Sequence, residues 1–79
     1  MDIERIVFKE IQDKYLQEKR VLLRTMLLKE NLGMDSLDIV ELTMFLEEQF
    51  NIEIDDQVSK NWETIGDVID TVDLLSLAQ

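Results

Sequence analysis

A chain of 79 residues without cysteine or histidine has no disulfide to brace it and no thiolate or imidazole to bind a metal, so packed helices or strands must hold it together. No uninterrupted apolar run exceeds three residues, which argues against a transmembrane helix or a secretory leader and makes a cytoplasmic location the expectation. The net charge of −10 is lopsided: residues 1–34 sum to +1 and residues 35–79 to −11, which disfavours nucleic acid and anionic membranes as partners and favours basic protein surfaces.

Apolar residues recur at three- and four-residue steps, and only Asn51-Ile52-Glu53-Ile54 alternates, so the chain reads as all-α. The first helix is expected from about Asp2 to Glu18, with Ile3, Val7, Ile11 and Tyr15 on one stripe and Ile6 and Leu16 beside it. Residues 21–34 follow as a long connection, too apolar for a solvated loop. Leu22 or Leu23, Leu27 and Leu32 are its expected anchors, and residues 20–30 have the propensity for a helical turn.

Gly33 suits a turn conformation closed to other residues, and Asp35 is a strong N-cap, so a second helix starts at Asp35 or Ser36 and runs to about Phe50. A short helix is expected over 55–60. A last one starts near Thr64, with Asp67 three residues on, and carries Ile65, Val68, Ile69, Val72 and Leu75 to its end near Leu75. The whole predicts one domain over 1–79, a small antiparallel bundle of three main helices plus one short one.

The second helix holds more apolar residues than one buried face requires. At 100° per residue, Ile39, Leu42, Thr43, Leu46 and Phe50 form the core face. Leu37, Val40 and Met44 form a separate stripe, with Glu41, Glu47 and Glu48 in it or beside it. Such a stripe is either buried by the bundle, or scattered surface apolars, or a docking strip whose carboxylates steer basic partners; the acidity of this half favours docking.

Ser36 opens this helix. A nucleophilic serine needs a base, and there is no histidine, no lysine between 35 and 59 and no glycine-rich elbow, which argues against self-contained acyl-enzyme chemistry. A first-turn structural role would explain the serine by position alone. Asp35 already fills the capping role, however, and a positive helix end favours an attached phosphate, which suggests a serine modified by another enzyme. No Asp-x-Asp-x-Asp-Gly loop with a distal glutamate points to calcium.

Leu32-Gly33-Met34-Asp35-Ser36-Leu37-Asp38, followed by Val40-Glu41-Leu42 and Leu46-Glu47-Glu48-Gln49-Phe50, resembles the acyl carrier proteins. The likeness continues through Ile52-Glu53-Ile54 and Ile65-Gly66-Asp67-Val68-Ile69-Asp70. It implies that the chain is a carrier rather than an enzyme. Ser36 would receive 4′-phosphopantetheine from coenzyme A, through a phosphopantetheinyl transferase, and Asp35 would cap the helix and present the serine. The thiol of the arm would then carry acyl thioesters that the cysteine-free chain could not form itself.

On the same resemblance Leu37, Val40 and Met44 would be apolar contacts for successive enzymes, and Asp38, Glu41, Glu47 and Glu48 would pair with their basic side chains. The chain would act as a monomer. Shelter for the acyl group is expected between the second helix and the third and fourth, with Leu46, Ile54, Trp62 and Ile69 as lining candidates. Arg20, Arg24, Lys29, Asn31, Asp55 and Trp62 depart from the family's usual residues. They leave open both a carrier of fatty acid biosynthesis and one dedicated to a polyketide, amino-acyl or other pathway. An unmodified helical adaptor remains the reading from a different class.

Overall fold

Asp2 caps the first helix by accepting a hydrogen bond from the Arg5 backbone N–H, and α1 runs over Ile3–Tyr15. The computed structural model describes residues 2–77, which hold three further helices: α2 (Ser36–Phe50), α3 (Asp56–Lys60) and α4 (Ile65–Leu77). Helices and no named strand, as the apolar spacing predicts, make this an all-α fold among the described residues. It measures 35 × 26 × 20 Å. The Val7 and Ile11 stripe of α1 packs chiefly on α4, and α2 packs on both α3 and α4.

The first helix stops three residues short of the expected Glu18, and a side chain explains why. Gln12 accepts from the Arg20 N–H (3.0 Å) and donates to the Glu18 carbonyl (2.9 Å), folding the chain back across the helix instead of extending it. The core comprises Val7, Ile11, Leu28, Leu32, Met34, Leu42, Leu46, Ile52, Ile54, Trp62, Ile65, Val68, Ile69 and Val72. Phe8 and Phe45 pack partly buried against it, on helix faces that the stripe reading leaves to solvent.

The connection between α1 and α2 is pinned differently from expectation. Leu32 is buried and Leu22 packs half-buried on the core, as expected, but Leu28 and Met34 are further buried anchors, whereas Leu27 is only half-buried and Leu23 is exposed. Residues 20–30 also form no regular helix, despite their propensity, because α4 claims their backbone. The Arg24 and Met26 carbonyls accept from Gly66 N–H (2.8 Å) and Ile65 N–H (3.1 Å), and the Leu28 N–H donates to the Glu63 carbonyl (2.9 Å). Two otherwise unpartnered donors of the α4 N-terminus are thereby satisfied. Arg24 adds ion pairs to Glu4 of α1 and Asp70 of α4, exposed enough to orient the connection more than to stabilise it. Before α2 the chain turns at Gly33, whose φ of +68° is the left-handed region that glycine enters without cost.

The close approach at Gly66 gives a first testable consequence. A Cβ there would lie 3.1 Å from the Arg24 carbonyl oxygen, which cannot retreat without losing its 2.8 Å bond. Gly66→Ala is expected to lower stability by about 1 kcal/mol, crowding outweighing the better helix propensity of alanine. A urea midpoint equal to or above that of the wild type would refute it.

Thr64 and Asp67 start α4 as a reciprocal cap. The Asp67 N–H donates to Thr64 Oγ1 (3.1 Å), and Asp67 Oδ2 accepts from the Glu63 and Thr64 N–H groups (2.9 and 3.0 Å). Those two backbone donors, Glu63 first, hold the Asp67 carboxyl below its usual range. Ionisation therefore stabilises the fold above the ordinary aspartate pKa of about 4, and that contribution is lost as pH falls from there through the lower folded value. Asp67→Asn should flatten the acid limb of a plot of melting temperature against pH from about pH 4 downward. Parallel acid limbs for the two proteins would show that this carboxylate does not shape the curve.

Candidate functional site

Why α2 begins where it does follows from two aspartates. Asp35 Oδ1 accepts from the Asp38 N–H (2.9 Å) while Asp38 Oδ2 accepts from the Asp35 N–H (3.1 Å), a complete capping box. With both capping contacts made by these neighbours, Ser36 stands at the first helical position, exposed, and its hydroxyl makes no hydrogen bond among the described residues. It has a free oxygen at the positive end of a 15-residue helix. Asp38 is half-buried and its carboxylate serves the cap, so of the expected docking acids it is one already engaged within the fold.

Glu47 is the other. Its Oε2 accepts from the Ile54 N–H (2.9 Å), and its backbone carbonyl accepts from the Ile52 N–H (3.1 Å) and the N–H of Asn51, which turns with φ +54°. Glu47 thus fastens the 51–55 connection to the end of α2. Glu41 is exposed, and its Oε1 accepts from the Tyr15 hydroxyl at 3.3 Å. Burial, followed by the Glu41 charge, pushes the Tyr15 phenol up to about 12. Glu48 is exposed and has no partner among the described residues.

The apolar stripe of α2 stands in solvent, with Leu37, Val40 and Met44 at 73%, 54% and 60% exposure. The bundle leaves it uncovered. Leu42, Thr43 and Leu46 face the core, and the buried Thr43 hydroxyl is satisfied by donating to the Ile39 carbonyl (2.7 Å). Ile39 and Phe50 are half-buried at the edges of that face.

Beside Ser36 lies a groove of about 400 Å³, lined by Leu28, Lys29, Ser36, Ile39, Val40, Asp56, Ser59, Lys60 and Trp62. Its walls are α2, α3 and the connection before α2, rather than α4. Of the four lining candidates only Trp62 borders it; Leu46, Ile54 and Ile69 are buried in the core, where α4 packs on α2, and Ile69 borders a separate depression beside Ile3 and Arg24. Trp62 is held by its indole N–H, which donates to Thr71 Oγ1 (2.9 Å), whose hydroxyl in turn donates to the Asp67 carbonyl (2.9 Å). Sequence reasoning missed Leu28, Ile39, Lys29 and Lys60 as groove residues. Two carried a signal: Lys60 is the single cation of the acidic half, and Lys29 departs from the family's usual residue.

Among the described residues no group of three or more His, Cys, Asp or Glu side chains is arranged to hold a metal ion, and no helix is long and apolar enough to cross a membrane. The arrangement fits a covalent group on Ser36: an accessible, unbonded hydroxyl, a helix end that favours a phosphate, and an apolar groove alongside.

The family model of the phosphopantetheine attachment site matches residues 25–72. An acyl carrier protein of Wolinella succinogenes is 60% identical over 40 residues, which span 51% of this chain and 53%, about half, of that relative. A protein of Mycobacterium tuberculosis described as a candidate acyl carrier protein superimposes with a TM-score of 0.85 at 32% identity, over 92% of this chain and 97% of the other. The acyl carrier protein of Thermotoga maritima shares the fold, with a TM-score of 0.81 at 24% identity over 96% and 93% of the two chains. The chain belongs to the phosphopantetheine-attachment family of acyl carrier proteins, carriers rather than enzymes, whose covalently attached prosthetic group is 4′-phosphopantetheine.

Proposed function

We propose that Ser36 is the attachment point of the 4′-phosphopantetheine arm and that the protein carries acyl intermediates of fatty acid biosynthesis as thioesters. The observation that carries this reading is the Ser36 hydroxyl itself, exposed and free of hydrogen bonds among the described residues because Asp35 and Asp38 cap the helix without it. The arm supplies the thiol that this cysteine-free chain lacks. The chain's own contribution is presentation: a rigid capped helix start, an apolar groove beside it, and the exposed Leu37, Val40 and Met44 strip edged by Glu41 and Glu48 for a phosphopantetheinyl transferase and acyl-processing enzymes with basic faces. Small charged contacts of this kind suit a monomeric carrier that must leave each enzyme quickly.

A dedicated, non-housekeeping pathway is the second reading. It is favoured by Trp62, a bulky side chain among those that line the groove, which suits short cargo.

Intact mass after incubation with coenzyme A, magnesium and a broad-specificity phosphopantetheinyl transferase tests the assignment. One phosphopantetheine added to the wild type and none to Ser36→Ala is the expected result. No addition to a folded wild-type protein would overturn it and leave an unmodified adaptor as the account.

A further inference from the structure

In a protein of net charge −10, two lysines meet at the groove beside Ser36. Lys29 reaches it from the connection and Lys60 from the last residue of α3. Lys60 is the only cation in residues 35–79. Among the described residues, neither ammonium makes an ion pair or a hydrogen bond, although acidic side chains are near. Asp56 lines the same groove, and Glu30 and Glu63 line an adjoining depression that both lysines also border. The interior between them is apolar, walled by Ile39, Val40 and Trp62.

An apolar slot bordered by two solvent-exposed cations that lack an ion-pair partner among the described residues is complementary to a short hydrocarbon ending in an anion. We propose that the groove holds an acyl cargo with a terminal carboxylate, its methylenes against Ile39, Val40 and Trp62 and its carboxylate between Lys29 and Lys60. This rests on Ser36 bearing the arm, which folds back to lay its cargo in the groove. The arm's own phosphate is the less suitable occupant. Bonded to Ser36, it lies at the α2 N-terminus, where the helix end already favours an anion, while the lysines come from the connection before α2 and from α3.

The test compares holo protein loaded with 13C-carboxylate-labelled adipoyl, or with hexanoyl, for the wild type and for Lys29→Met/Lys60→Met, which keeps most of the aliphatic stems and removes the charges. Intact mass first establishes loading; absence of loading would count against the Ser36 assignment and is thus distinguished from failure of the groove proposal. In the wild type the adipoyl carboxylate is expected to titrate about 0.5 pH unit below the same thioester on free pantetheine. The shift should disappear in the double variant and shrink in high salt. Adipoyl, but not hexanoyl, should also move the Lys29 and Lys60 amide resonances. Identical carboxylate titrations in the two proteins would overturn the proposal. So would lysine perturbations already complete in the unacylated holo form, because the phosphate would then be the anion held.

Discussion

Leu28→Ala is expected to destabilise the fold by about 2–5 kcal/mol, the largest stability loss of any single truncation in the connection between α1 and α2. Leu28 is 1% exposed, and its N–H is bonded to the Glu63 carbonyl at the start of α4. Removing the side chain leaves a void among residues that the Leu28 backbone bond keeps in place, so little collapse can compensate. A small domain has about 5 kcal/mol of net stability to lose, and each kcal/mol shifts its melting temperature by about 4–8 °C. The variant should therefore melt at least about 8 °C lower or be partly unfolded at room temperature. Leu27→Ala, half-buried in the same run, should cost less than half as much. Thermal melts by circular dichroism decide between them, and equal losses would mean that both leucines anchor the connection. Because Leu28 also walls the groove beside Ser36, the same variant should load its arm normally in the folded fraction but handle cargo differently.

The second large effect concerns recognition. Leu37 is 73% exposed, directly beside Ser36, and heads the apolar strip. Leu37→Ala is expected to lower kcat/KM for phosphopantetheine transfer about 10- to 30-fold, the range of a central interface anchor, with an unchanged melting temperature. Glu48→Lys should lower it less at low salt and scarcely at all at high salt, as a screened charge at the rim of an interface does. Glu47→Gln should behave oppositely. It weakens the bond to the Ile54 N–H, lowering stability while leaving transfer to the folded protein nearly intact. Transfer assays with a common transferase, run beside melts of the same samples, separate these cases. Wild-type kinetics for Leu37→Ala would remove the strip from the account.

The comparison of these variants also marks where local chemistry ends. The start of α2, the starts of α3 and α4, the turn at Gly33 and the split of α2 into a core face and an exposed stripe were legible in the sequence. All of them depend on interactions within three or four residues: Asp35 with Asp38, Thr64 with Asp67, and the 100° advance that separates Leu42 and Leu46 from Leu37, Val40 and Met44. Ser36 was conspicuous for the same reason, since a neighbour had visibly taken the cap. The course of the connection was not legible, because backbone bonds from Arg24, Met26 and Leu28 to residues 63–66 override a local helix propensity, and a backbone bond leaves no mark on side-chain pattern. The roles of Asp38 and Glu47 were divided by which N–H each carboxylate could reach, in one case across a turn of chain. The groove belongs wholly to the tertiary structure: Ser36, Lys29, Lys60 and Trp62 come from three separate segments and share a wall only once α3 and the connection have packed against α2.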